Sequence, residues 1–136
     1  MELEKQELIL STGATAWCEY DRNGDMLEII FQAGEATCAI ELTESIILRF
    51  DWETNKPLSL SFISFLRLIQ PTEYGQPYFQ LLTDEWPKEI QEQIWTMLRN
   101  LPLTEFLTVS SYAPAFSHKI IPTTGIKPPH LATLAA

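Results

Sequence analysis

The sequence predicts an α+β domain in which an antiparallel sheet of five to six strands packs against one principal helix. Apolar and polar residues alternate through several segments before residue 64, and an Asn-Gly pair sits between two of those segments. A single apolar stripe with helical spacing follows residue 84. Alternation with period two indicates strands that bury one face, whereas spacings of three and four indicate an amphipathic helix. A chain of 136 residues is long enough to bury a core of its own.

The alternating segments are the predicted strands, and their spacing predicts a meander with one solvent-exposed face. In the fourth segment, Ile46, Leu48 and Phe50 share one face, while Arg49 lies on the other. The pair Asn23-Gly24 predicts a type I′ hairpin turn between the first two strands, because both central residues of that turn need positive φ. The predicted strands cover residues 16–21, 26–31, 37–42, 46–52, 58–64 and 104–112.

The principal helix is predicted over residues 84–100. Thr83 or Asp84 would cap its start, Pro87 suits its first turn, and Asn100 and Pro102 mark its end. Residues spaced by three and four form one apolar stripe that would face the sheet. They are Trp86, Ile90, Ile94, Met97, Leu98 and Leu101.

Two segments are predicted to lie outside the domain, which we place at residues 14–112. Residues 1–13 form an acidic lead without a predicted regular element, although Leu8, Ile9 and Leu10 offer an apolar docking point. Residues 113–136 are rich in proline and predict a tail or arm. The start of the chain lacks the pattern of a secretory signal and no apolar run approaches the length of a membrane helix, so we expect a cytoplasmic protein.

Charge is distributed unevenly along the chain. Residues 1–53 hold 12 of the 18 acidic residues and 3 of the 9 basic ones, so the whole net charge of −9 falls on this part. Residues 54–136 sum to zero, and no acid follows residue 105. Nucleic acids and anionic membranes are therefore unfavourable partners. The uneven layout fits either solubility alone or contact between the acidic half and the basic tail.

The segment from residue 20 to about residue 64 resembles the small proteins of the domain of unknown function 2283. The resemblance rests on Tyr20-Asp21, a turn, Asp25 and a Leu-x-Ile strand, followed by a strand that ends at Asp51. The last strand departs from the family pattern, since Ser and Phe stand where Gly and Glu are common. The resemblance implies a small antiparallel sheet that self-associates and has no established activity, and some short members are suspected of pairing with toxin-like proteins.

Carboxylates are the one group of chemically active side chains that the predicted sheet brings together. Glu19, Glu28 and Glu41 are expected to line up across neighbouring strands, either neutralised by Arg49 or marking a cation or substrate site. Asp21, Asn23 and Asp25 lack the spacing of a calcium loop. Ser110, Ser111 and His118 lack a nucleophile elbow. We therefore predict no catalytic residues, no metal centre and no cofactor.

Cys18 and Cys38 are the two cysteines, and each lies in a predicted strand without a second ligand nearby. They would form either a disulfide between paired strands or, as a reducing compartment favours, buried free thiols.

From these observations we predict a non-enzymatic interaction module that forms a homodimer. Tyr74, Tyr78 and Trp95 are the candidate contact residues, together with the arm at 114–136, because exposed aromatic side chains anchor interfaces. One alternative is an antitoxin-like or regulatory protein whose acidic sheet covers a small basic partner. Another is an enzyme that binds a small ligand or metal through the sheet carboxylates.

Overall fold

A computed structural model of the chain describes residues 3–115 and 119–129, and it confirms the α+β class with one main helix. In this part of the chain the strands form a large sheet of six and a small sheet of three. The strands are β1 (Leu3–Ile9), β2 (Thr15–Asp21), β3 (Met26–Ile30), β4 (Cys38–Thr43), β5 (Ile46–Asp51), β6 (Lys56–Ile63), β7 (Tyr78–Gln80), β8 (Leu107–Tyr112) and β9 (Ile121–Ile126), and the helices are α1 (Phe65–Leu68) and α2 (Gln91–Leu98).

The large sheet is fully antiparallel and has the order β1-β2-β3-β6-β5-β4. It is therefore not the single meander that the sequence predicts, but two three-stranded meanders joined where β3 pairs with β6. The apolar side chains of β6, Leu58, Leu60 and Phe62, all face the core. On the opposite face Ser59 and Ser61 are also buried, because small side chains at the centre of a sheet are covered by their larger cross-strand neighbours.

The β2–β3 hairpin is confirmed, but the predicted type I′ turn is wrong. Asp21 pairs with Met26, so the loop holds four residues, and positive φ falls on Asp25 (51°) rather than on Asn23-Gly24. In this conformation the carboxylate of Asp25 accepts hydrogen bonds from two groups outside the loop. It accepts hydrogen bonds from the Tyr20 hydroxyl at 2.8 Å and from the Leu66 amide at 3.1 Å. The hairpin thereby caps the start of α1.

A second loop, between β5 and β6, repeats this geometry. Asp21 Oδ1 accepts a hydrogen bond from the Asn23 amide at 3.1 Å, and Asp51 Oδ1 accepts one from the Glu53 amide at 3.0 Å. Asn55 has φ of 56° and Asp25 has φ of 51°. Each of these residues lies four positions after the aspartate that opens its loop. Both loops are thus Asx turns that close with a left-handed residue.

The main helix is shorter than the predicted 84–100, since α2 covers Gln91–Leu98 after two single 3₁₀ turns. Proline restricts the residue before it to extended backbone, and Trp86 and Pro87 both have ψ of 135°, so no helix runs through them. The apolar stripe still reaches the core, with Ile94 fully buried. Leu101 is the exception, because it lies beyond the helix and is 49% exposed.

The structure places a strand in each of the two segments that the sequence sets outside the domain. Residues 3–9 of the acidic lead are β1, which pairs with β2 along its whole length. The proline-rich segment supplies β9, the central strand of the small sheet. Pro122 is compatible with that strand because it contributes its carbonyl, which accepts the Leu81 amide at 3.0 Å. Residues 116–118 and 130–136 of the predicted arm lie outside the described residues.

The small sheet has the order β7-β9-β8 and packs one face on the common core. Leu107 and Thr124 are buried on that face, and Phe79 packs against the core beside them. The other face is held flat at Gly125, which pairs with Tyr78 on one side and Thr108 on the other. A Cβ at position 125 would meet Thr108 Oγ1 at 2.7 Å and the Tyr78 ring at 3.0 Å, so any larger residue would force these side chains to move.

Candidate functional site

The predicted polar cluster is only partly assembled on the outer face of the large sheet. Glu19 lies directly opposite Glu28, as expected for neighbouring strands. Glu41 occupies the same row of the sheet, but β6 and β5 lie between it and Glu28. Three strand spacings correspond to about 14 Å along the sheet. The three carboxylates therefore do not form one site.

A basic side chain lies beside each of the two glutamates that do meet, and a serine hydroxyl donates to one of them. Arg49 Nη1 donates to Ser61 Oγ at 2.6 Å and lies 3.8 Å from Glu28 Oε2, which also accepts from the Ser61 hydroxyl at 3.2 Å. Lys5 Nζ lies 3.5 Å from Glu19 Oε1. Of the two alternatives that the sequence left open, this geometry matches neutralisation by Arg49, with Lys5 as a further cation that sequence reasoning missed.

The cysteines are free thiols on two well-separated strands of the large sheet. Cys18 is on β2 and Cys38 on β4, with three strands between them, which is about 19 Å along the sheet and far beyond disulfide distance. Burial raises the pKa of the Cys18 thiol to about 12, and burial also raises that of Cys38. Neither is therefore an activated nucleophile. Within residues 3–115 and 119–129, no three His, Cys, Asp or Glu side chains are grouped to hold a metal ion.

The predicted contact residues lie on three different elements. Tyr74 is 91% exposed in the loop before β7, and Tyr78 is 59% exposed on β7 itself. Trp95 of α2 is half-buried, because its ring packs edge-on against Trp86 at a centroid distance of 5.6 Å. The Arg99 guanidinium lies 5.3 Å above the same ring. Trp95 is thus largely used inside the molecule, whereas Tyr78 belongs to a wider exposed surface.

That surface is the small sheet, which we call the neutral sheet because β7, β8 and β9 carry no charged residue. Its outer face presents Tyr78 and Tyr112, each 59% exposed, around exposed Gln80 and Ser110. Tyrosine with serine and threonine makes a surface that binds proteins through rigid rings and adaptable hydrogen bonds. The composition of residues 104–112 predicts the strand β8, but Tyr112 is not among the predicted contact residues. The signal that would have found it is the absence of charge in residues 107–112.

The edges of the two sheets differ in how they are protected. The edge strand β1 carries three charged residues, which discourage pairing with another strand. The edge strand β4 is covered, since its Leu42 carbonyl accepts the Leu82 amide and its Glu41 carbonyl accepts Trp86 Nε1. By contrast, β8 has six uncharged residues, and among the described residues no backbone hydrogen bond joins it to any strand except β9.

A pocket of about 520 Å³ opens at the junction of the two sheets, and we call it the junction pocket. The turn between β4 and β5 supplies Glu44 and Ser45, the start of α1 supplies Ser64 and Arg67, and β7 supplies Tyr78 and Gln80. No local sequence pattern predicts this pocket, because its lining comes from three segments that only the fold brings together. They are residues 43–45, 64–68 and 78–82.

The described part of the chain holds no helix that is long and apolar enough to cross a membrane. No protein-family model, no curated protein and no solved structure matches the chain. The resemblance to the domain of unknown function 2283 therefore stays a prediction.

Proposed function

We propose that this protein is a non-enzymatic module that self-associates as a homodimer through the free edge of β8. One observation carries the proposal: β8 is a six-residue edge strand with no charge and, among the described residues, no partner on its outer side. Unprotected edges of this kind pair readily with another strand, and natural proteins blunt the edges that must stay single.

The charge layout favours the same surface. Two copies each carry a net charge of −9, and all of it falls on residues 1–53. Contact through the acidic halves would bring like charges together, whereas contact through the neutral sheet would not. The part of the chain that sums to zero is therefore the part best suited to meet a second copy.

Pairing of β8 with β8 of a second copy would be antiparallel and symmetric. A two-fold axis through the strand pair makes the contact isologous, so each copy supplies the same hydrogen-bonding groups and the assembly closes at two. The two neutral sheets would then form one continuous sheet of six strands. Tyr112, near the end of β8, would add its ring to the new outer face.

The two alternatives from the sequence have weaker support. A basic partner would have to compete for acidic side chains that already pair within the chain, namely Glu4 with Arg22, Glu19 with Lys5 and Glu28 with Arg49. An enzyme that uses the sheet carboxylates would need Glu41 near the other two glutamates, and the fold separates them.

Sedimentation velocity over a range of concentrations tests the proposal. We expect the wild-type chain to approach twice its 15.6 kDa mass as concentration rises. Ser110→Lys adds a charge to the exposed edge of each copy and should leave a monomer, because like charges would face each other across the axis. Thr54→Lys, in the exposed loop between β5 and β6, makes the same change of charge and should dimerise like the wild type.

Two outcomes would overturn the proposal. One is a wild-type chain that stays monomeric at the highest concentration reached. The other is a Ser110→Lys variant that dimerises as strongly as Thr54→Lys, since the contact would then lie elsewhere.

A further inference from the structure

The chain has four arginines, and one of them is unlike the rest. Arg22 pairs with Glu4, Arg49 with Glu28, and Arg99 stacks on Trp95. Arg67 lines the junction pocket, and its guanidinium has no hydrogen bond or ion pair with any described residue. In a chain with twice as many acidic as basic residues, a guanidinium left without a carboxylate is available to an anionic group from outside.

The same pocket contains a carboxylate that does not neutralise Arg67. Glu44 is an exposed residue of the turn between β4 and β5, and it also lines the pocket. Its oxygens lie more than 4.0 Å from the nitrogens of Arg67, since the two form no ion pair in the described structure. The pocket therefore presents one positive and one negative group that are separate from each other.

The remaining lining suits a small polar molecule with an apolar part. Ser45 and Ser64 supply hydroxyl groups, Gln80 supplies an amide, and Leu68 and the Tyr78 ring supply apolar contact. Ser64 makes no capping hydrogen bond to α1 although it precedes that helix, so its hydroxyl is not used there. A volume of about 520 Å³ lies within the range of pockets that bind small molecules.

We propose that the junction pocket binds a small zwitterion of the amino-acid or dipeptide type, with Arg67 taking the carboxylate and Glu44 the ammonium group. A zwitterion satisfies both charged groups at once. A zwitterion also carries no net charge. The net charge of −9 on the chain therefore does not repel it, whereas that charge would repel a phosphate or a dicarboxylate. The site is separate from the proposed dimer edge, because β7 and β8 are on opposite sides of β9.

The test is a titration of the full-length ¹⁵N-labelled chain with L-leucine, L-phenylalanine and L-alanyl-L-leucine. We expect saturable shifts of the amides of Ser45, Ser64 and Gln80 with each probe. N-acetyl-L-leucine lacks the ammonium group and L-leucinamide lacks the carboxylate, so both should bind about 10-fold more weakly or not at all. Acetate and inorganic phosphate should leave these amides unchanged.

Two pairs of matched variants assign the groups. Arg67→Gln and Glu44→Gln should each weaken L-leucine binding about 10-fold. Arg99→Gln and Glu53→Gln make the same changes of charge outside the pocket and should bind like the wild type. The proposal is overturned if no zwitterionic probe shifts the pocket amides, if N-acetyl-L-leucine binds as well as L-leucine, or if Arg67→Gln binds as well as Arg99→Gln. The spectrum of each variant reports its fold independently of binding.

Discussion

The two sheets of this protein share one core but differ completely in charge. Every strand of the large sheet carries at least one charged residue, whereas no residue of β7, β8 or β9 is charged. The net acidic charge of the chain thus lies on the strands of the large sheet and on the loops that join them, and not on the neutral sheet. The net charge of the whole chain therefore says little about self-association until it is assigned to individual sheet edges.

Truncating one phenylalanine in each sheet tests which sheet contributes more to the stability of the core. Phe62 of β6 is fully buried and its ring lies 5.8 Å from that of Phe65, whereas Phe79 of β7 is only partly buried. We expect Phe62→Ala to lower the free energy of unfolding by about 3–5 kcal/mol in urea denaturation. Phe79→Ala is the matched change in the neutral sheet and should lower it by about half as much. Equal losses would contradict the view that the large sheet dominates stability.

A change at Gly125 should loosen the neutral sheet while leaving the large sheet in place. A valine at this position would overlap Thr108 Oγ1 and the Tyr78 ring, so we expect Gly125→Val to cost about 1–3 kcal/mol. Hydrogen exchange should rise at the amides of β8 and β9 and stay protected at those of β3 and β6. Tyr78→Ala removes one of the two overlaps, so combining it with Gly125→Val should recover part of the lost free energy of unfolding. If the double variant recovers none of it, the steric explanation fails.

A pH effect reports one contact between the turn that follows β1 and the segment that precedes β8. The Ser11 amide, in the turn between β1 and β2, donates to Glu105 just before β8. Hydrogen bonding from the Ser11 side chain, then from the Ser11 amide, and after these the Lys127 charge, lowers the pKa of Glu105, while partial burial opposes the shift. A lowered folded pKa means that the stabilisation is complete above the unfolded value of about 4.3 and is lost as pH falls through the folded value.

Because Glu105 lies near the surface, water screens this interaction, and we expect the wild-type chain to lose well under about 1 kcal/mol more stability than Glu105→Gln between neutral and acidic pH. Urea denaturation at neutral pH and at several values below pH 4 measures the difference. Identical pH dependence in the two chains would show that Glu105 does not couple the turn to that segment.

Removing an ion pair from the large sheet should change the free energy of unfolding only slightly. Arg49 and Glu28 are both more than a third exposed, so their ion pair is well screened by water. We expect Arg49→Gln to change the free energy of unfolding by less than about 1 kcal/mol, and a double-mutant cycle with Glu28→Gln to give a coupling energy of similar size. A much larger coupling would mean that this pair is structural, and that charge on the large sheet does more than limit association.

The sequence predicted the elements whose patterns are local. Alternation identified five strands of the large sheet, and the spacing from Ile90 to Leu98 identified the helical stripe. β1 was missed because Glu4, Lys5 and Glu7 interrupt its apolar residues, and an edge strand needs only β2 as a partner. β9 was missed because Pro122 argues against a strand unless its carbonyl is known to have a partner.

The candidate sites depended on positions far apart in the chain, and sequence reasoning placed them less well. A continuous meander, as predicted from the sequence, would place Glu41 beside Glu28. The pairing of β3 with β6 instead separates the two glutamates. Sequence reasoning named Tyr78, which lies on the neutral sheet, but the free edge of β8 becomes visible only once β9 is known to be the central strand. Arg67 carried no signal, since an arginine in a short helix is ordinary until its neighbours in space are known.

The junction of β3 with β6 has a further consequence. The large sheet has the same strand order from either edge: β1, β2 and β3 follow one another from one edge, and β4, β5 and β6 from the other. The third strands of the two sets, β3 and β6, pair with each other. The two Asx loops obey this relation, because Asp21 and Asp51 both open a loop that closes on a left-handed residue. The sheet thus has internal pseudo-two-fold symmetry, the arrangement that a dimer of three-stranded meanders would have if its subunits were fused into one chain.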